Sequence, residues 1–151
     1  MIILVWCVLA LSAKCFGLNE IHLDRAEQSS TYGYYPASAS NAIDNDHDTT
    51  AITNPVNPSW LKVYFTSVSN VEKVVIEKGY THDVYCTFTV HVNAGDQSVS
   101  CGTYTKRSSG YYYDESVQCG GKTGDSVKVE MTNCQHLMHI YEIAVYSAGK
   151  N

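Results

Sequence analysis

The sequence predicts an all-β, antiparallel sandwich or barrel. Three observations carry this. Apolar and polar residues alternate at period two in several short segments, turn residues separate those segments about every ten residues, and no stretch has the period of an amphipathic helix. The chain has 151 residues and a formal net charge of −5. Its length suits one domain with a real core, and its acidity argues against nucleic acid or an anionic membrane as the main partner.

Residues 2–13 (IILVWCVLALSA) form an apolar run too short to span a bilayer and suited to the core of a secretory signal. Cleavage after Gly17 is expected, because it removes Cys7 and Cys15 and leaves an even set, Cys86, Cys101, Cys119 and Cys134. Residues 1–17 are thus read as a signal peptide and 18–151 as the mature domain. No later hydrophobic stretch approaches the length of a membrane span, so the product is expected to be secreted and extracellular. Two disulfides are expected there, with three pairings open.

Residues 19–48 are broken repeatedly by Ser, Thr, Gly and Pro and read as turns and short extended pieces. Pro55 and Pro58 exclude regular structure between them. From Trp60 the pattern becomes period two: Leu61, Val63 and Phe65 alternate with polar neighbours. Further strands are read at 74–76 (ending at Gly79), 86–92, 99–104, 111–117, 127–131 and 141–146. Residues 93–96 and 120–125 are read as turns, the latter a long one.

Residues 39–50 (ASNAIDNDHDTT) gather Asn41, Asp44, Asn45, Asp46 and Asp48 in loop-like sequence. Oxygen ligands at this density suit calcium, a hard cation that takes carboxylate, carboxamide and carbonyl oxygens. The helix–loop–helix calcium pattern is absent, since no glycine follows at its sixth position and no glutamate at its twelfth. On composition alone a solvated turn rich in Asx residues is the better reading.

Four pieces in order then resemble the fucose-binding F-type lectins (fucolectins) and, more distantly, the discoidin or coagulation-factor type C domains. These pieces are AEQS at 26–29, ASNAID at 39–44, PSWLKV at 58–63 and EIAV at 142–145, and they span nearly the whole mature chain. The resemblance implies an eight-stranded antiparallel jelly-roll β-sandwich of the galactose-binding-domain class. It also implies a structural Ca2+ held by Asn41, Asp44, Asp46, Thr53, the Tyr141 carbonyl and the Glu142 carboxylate, and a Cys101–Cys119 bridge. Asn45 replaces the family's glycine, which suits a residue that adopts left-handed backbone readily. The family's bridge from the calcium loop to the last strand is missing, because neither Asn54 nor Tyr141 is cysteine. Cys86 and Cys134 are expected to form the second disulfide.

The family's sugar site is altered. Lys78 stands for its first arginine and Tyr85 for its second, and no histidine occurs near Val56 or Asn57. A lysine has no planar fork for adjacent hydroxyls. Residues 78–85 (KGYTHDVY) nonetheless combine Lys78, His82, Asp83 and Tyr85, a set suited to a carbohydrate, with Tyr32, Tyr34 and Tyr35 as further aromatic contacts. The expected function is a secreted, calcium-stabilised lectin-like protein that binds a carbohydrate or glycoprotein. The alternative is an extracellular matrix or protein-interaction module on the same scaffold, and self-association is compatible with weak repeated sites. Catalysis is not expected: His136 and His139 lack a third zinc ligand at a suitable spacing, no nucleophile elbow occurs, and GGKTG at 120–124 lacks the full spacing and helix of a phosphate loop.

Overall fold

The computed structural model describes residues 17–79, 85–107 and 112–149. Residues 1–16 of the expected signal peptide 1–17 lie outside these residues, as do His82, Asp83 and Tyr111. Eight strands run β1 Leu18–Glu20, β2 Leu23–Gln28, β3 Ala51–Ile52, β4 Ser59–Gly79, β5 Tyr85–Ala94, β6 Gln97–Arg107, β7 Tyr112–Thr132 and β8 His139–Ala148, with one 3₁₀ turn at Ala39–Ile43. Every pairing is antiparallel, in the order β1-β8-β4-β7-β5-β6, with β2 on β4 and β3 on β8.

Two strands read from sequence as four are continuous. Strand β4 joins the expected segments around Leu61 and Ile76, and β7 joins those around Val117 and Val129. The expected turn at 120–125 is a bend inside β7, where Gly120 and Gly121 take φ of +61° and +76°, conformations that glycine adopts at little cost. Its partner β4 changes register between Tyr64 and Ser69 and again between Val71 and Lys73. The long β4–β7 ribbon therefore folds over on itself. One half, with β2, β5 and β6, makes one layer; the other half, with β1, β3 and β8, makes the second.

Period-two alternation sends one face of each layer inward. Leu61, Val129 and Val90 stand in one cross-strand row, as do Val63, Val127 and Val92. Opposite them Val74 pairs with Val145 and Ile76 with Ile143. All of these belong to one buried core. Each such side chain contributes roughly 1.5–3 kcal/mol on burial. Cys101–Cys119 ties edge strand β6 to the β7 bend, and Cys86–Cys134 ties the start of β5 to the chain just past β7. Both expected pairings are present. Loops enclosing 18 and 48 residues are worth about 3 and 4 kcal/mol in the chain-entropy account.

Because the ribbon folds over, its two ends meet. Segment 133–138 carries the chain from Thr132 in one layer to His139 in the other. The start of β5 joins this end through Cys86–Cys134. Segment 29–37 joins it through Tyr32 N to Ile52 O and Asn54 N to Ser30 Oγ. A Cβ on Gly79 would lie 2.5 Å from Tyr141 Cε2, so this strand end must be glycine for the Tyr141 ring to pack there. Segment 29–37, Gly79 and Tyr85 thus lie at one end of the sandwich.

Candidate functional site

The acidic loop hangs between the 3₁₀ turn and β8. Local side-chain-to-backbone bonds shape it: Asp44 Oδ1 accepts the Asp46 amide at 2.9 Å, and Asp46 Oδ1 accepts the Asp48 amide at 3.0 Å. Asn45 takes φ of +58°, the left-handed backbone expected of it. Strand β3 then pairs with β8, and Thr50 Oγ1 donates to Ile140 O at 3.1 Å. This pairing brings the loop to Glu142.

The carboxyls of Asp44 and Glu142 lie side by side and shift one another. Burial, then the closeness of Asp44 and its repulsion, pushes the Glu142 carboxyl up to about 7. Asp44 shifts the other way: burial raises it, but hydrogen bonds from the Asp46 amide and Thr49, with the neighbouring Glu142, outweigh this and hold it below its usual value. The two carboxyls are thus pushed in opposite directions by their closeness. Glu142 Oε1 is buried with no hydrogen-bond partner among the described residues. Glu142 also closes a row of carboxylates, in register with Glu77, which in turn faces Asp114. Like charges in such a row repel. His47 answers part of this, its Nδ1 lying 2.5 Å from Glu77 Oε2, and that hydrogen bond and charge raise its own affinity for a proton.

The sequence-predicted ligands divide under this geometry. Asp44 and Glu142 come together, and Tyr141 is the extra residue of a β-bulge, since Glu77 faces Glu142 while Lys78 faces Ile140. The side chains of Asn41 and Asp46 serve the loop itself. Asn41 Nδ2 donates to Pro36 O and Thr50 O at 2.9 and 3.0 Å, and its Oδ1 accepts Ser38 Oγ. What these two residues bring to the site is backbone carbonyl. Thr53 is a correction: it is buried, its Oγ1 accepting the Met138 amide at 3.2 Å on the β3 side that runs away from Glu142. The threonine at the site is Thr49, whose Oγ1 lies 2.8 Å from Asp44 Oδ2, 3.1 Å from Asp46 O and 3.4 Å from Asn41 O. Among the described residues no three His, Cys, Asp or Glu side chains converge as a metal group. The oxygens gathered are two carboxylates, a hydroxyl and carbonyls, a set for a hard cation and not for zinc. Beside them lies a cleft of about 450 Å3 lined by Glu20, His22, Asn45, His47, Glu142 and Tyr146 among others. Nothing in the residue pattern announced it.

Lys78 is a second correction. It was expected to face a ligand, yet it is 2% exposed. Its Nζ sits 4.1 Å from the Phe88 ring centroid and 4.5 Å from that of Tyr104, and donates to Tyr104 Oη at 3.2 Å. Phe88 and Tyr104 stack with centroids 5.4 Å apart. The lysine lies on the inward-facing side of β4, in step with Ile76, and the two rings hold its charge. Tyr85 is 63% exposed at the start of β5.

No protein-family model matches the chain. Curated proteins give no match either. Solved structures do. The lectin domain of lectinolysin, complexed with Lewis b antigen, superposes with a TM-score of 0.68 at 23% identity over 83% of this chain and 93% of that one. The family 32 carbohydrate-binding module of C. perfringens NanJ, complexed with galactose, gives 0.68 at 17% identity over 82% and 93%. The f-lectin (fucolectin) of striped bass (Morone saxatilis) serum gives 0.67 at 18% identity over 84% of this chain. The chain has their fold. It spans 46% of the striped bass lectin and 35% of a truncated AlyQ that holds a family 32 module beside an alginate lyase domain. The F-type-lectin fold therefore occurs both as a lectin domain and as a module within an enzyme chain. Among the described residues no helix is long and apolar enough to cross a membrane.

Proposed function

We propose that this protein is a secreted carbohydrate-binding module whose acidic loop is fastened to the last strand by a structural calcium ion. The observation that carries the ligand half is that Tyr85 stands exposed at the end of the sandwich where Gly79 and segment 29–37 also lie; His82 and Asp83, between Gly79 and Tyr85 in the sequence, fall outside the described residues. Tyr85 offers a ring face and a hydroxyl to a pyranose. Lys78 supports the strand from below through its aromatic box and does not touch the sugar, so recognition differs from the paired arginines of F-type lectins.

The calcium half rests on Glu142 Oε1, a buried carboxylate oxygen beside a second carboxylate. Asp44, Glu142 and Thr49, with the carbonyls of Asn41, Asp46 and Tyr141, would hold the ion. It would supply positive charge beside two adjacent carboxyls. Its role is to stabilise the fold, with no reaction attached.

A glycan array with the full mature chain tests the ligand reading. Binding is expected, competed by free sugar and weakened in Tyr85→Ala, while Lys78→Met binds as wild type. The exposed tyrosines and the burial of Lys78 favour one second reading, an extracellular protein or matrix binder. Matrix binding that free sugars leave untouched would select it.

A further inference from the structure

Tyrosines 32, 34 and 35 serve no core. Tyr34 is 82% exposed and Tyr35 67% exposed, although large aromatic side chains gain most by burial. Tyr32 is the hub of the group: its ring centroid lies 5.3 Å from that of Tyr34 and 6.4 Å from that of Tyr35, with planes tilted by 46° and 30°. The three rings open as a shallow fan on the loop end.

The base of this loop is fixed. Gln28 Nε2 donates to Thr31 Oγ1 and to Ala37 O, both at 2.9 Å, bridging the two arms. Ile52 accepts from Tyr32 N and donates to Ala37 O, so β3 holds both arms as well. Asn41 Nδ2 takes the Pro36 carbonyl, which anchors the loop to the acidic segment. The rings are thus displayed from a pinned frame, and little ordering entropy remains to be lost on binding.

A small-ligand site encloses most of its ligand. This surface covers one side only, so a single sugar laid on it would gain little. Several pyranoses in a row, each giving its apolar face to a ring, would add their weak contacts. Segment 29–37 contains no charged residue, so nothing in it selects a uronate or a sulfate. We infer that Tyr32, Tyr34 and Tyr35 form a platform for the interior of an uncharged, extended glycan chain, separate from the contact at Tyr85. This rests on the carbohydrate-binding reading above.

The test is titration of the full mature chain with neutral β-linked gluco-, galacto-, manno- and xylo-oligosaccharides, from monosaccharide to hexasaccharide, alongside a glycan array. Affinity is expected to rise at least about tenfold with chain length. In Tyr34→Ala/Tyr35→Ala that gain should vanish with Tm unchanged, and Tyr34→Phe/Tyr35→Phe should restore it. Tyr85→Ala should lower affinity for all lengths alike. Equal affinity of the double alanine variant and wild type for the long oligosaccharides, or no length dependence in wild type, would overturn the platform and leave the module's sugar binding standing. Absence of any glycan binding by wild type would overturn both.

Discussion

Lys78 and Glu142 sit on neighbouring strands close to the same end of the sandwich, and each carries a charge away from bulk water. The protein answers the first fully and the second in part, through His47 and the Asp46 amide. Around Lys78 two ring faces and a phenol oxygen receive the ammonium. Around Glu142 stand Asp44 and Glu77, further carboxylates, and one oxygen is buried without a hydrogen bond among the described residues. A charge met by its own fold is a piece of core. A carboxyl left facing its like is the feature on which the proposed calcium site rests.

Replacing Lys78 gives the largest expected effect. Lys78→Ala empties the aromatic box and is expected to cost about 3 kcal/mol in chemical denaturation. Lys78→Met fills the same volume without a charge and should stay within about 1 kcal/mol of wild type, or exceed it. A loss in the methionine variant as large as in the alanine variant would mean that the ammonium itself holds the strand.

Calcium should move the other region by nearly as much. At about a hundredfold excess over its Kd, the gain is about 2.7 kcal/mol. In differential scanning calorimetry this should raise Tm by roughly 5–10 °C relative to chelator. Glu142→Gln should abolish the response and raise the Tm of the cation-free protein, since it removes the carboxyl pair. An unchanged wild-type Tm would remove the calcium reading and leave the pair as two adjacent carboxyls.

The pH dependence sharpens this further. Without a cation, Glu142 titrates near 7 in the folded chain against an ordinary 4.5, so its stabilising contribution is complete below about pH 4.5 and disappears as pH rises through 7. Asp44, held below its ordinary 3.8, contributes above that value and loses its share in stronger acid. The calcium-induced rise in Tm should therefore be small near pH 5 and full near pH 8. His139, whose proton affinity burial and then His136 reduce, destabilises the fold as pH falls below its ordinary value of 6.5, with or without calcium.

The smallest effect separates two threonines. Thr53→Val removes a buried hydrogen bond to Met138 and should cost about 1 kcal/mol while the calcium response persists. Thr49→Val should leave cation-free stability nearly unchanged and weaken the response to calcium. The reverse pattern would return the ligand role to Thr53.

The sequence by itself determined the all-β class, because alternation at period two around Leu61, Phe88 and Val129 can bury one face only in a sheet. It also determined where oxygen-rich side chains lie along the chain and, through the family resemblance, that Glu142 meets Asp44. Tertiary structure alone decided which of those side chains stand beside Glu142. Asn41 and Asp46 spend their side chains on the loop, and a difference of four positions between Thr49 and Thr53 follows from the β3–β8 register, which is a property of pairing and not of composition. It alone made β4 and β7 single bent strands, since a bend and a hairpin turn use the same glycines. It also turned Lys78 inward, because alternation places the residue two beyond Ile76 on the same face, and only the rings of Phe88 and Tyr104, brought from other strands, make that face habitable for a charge.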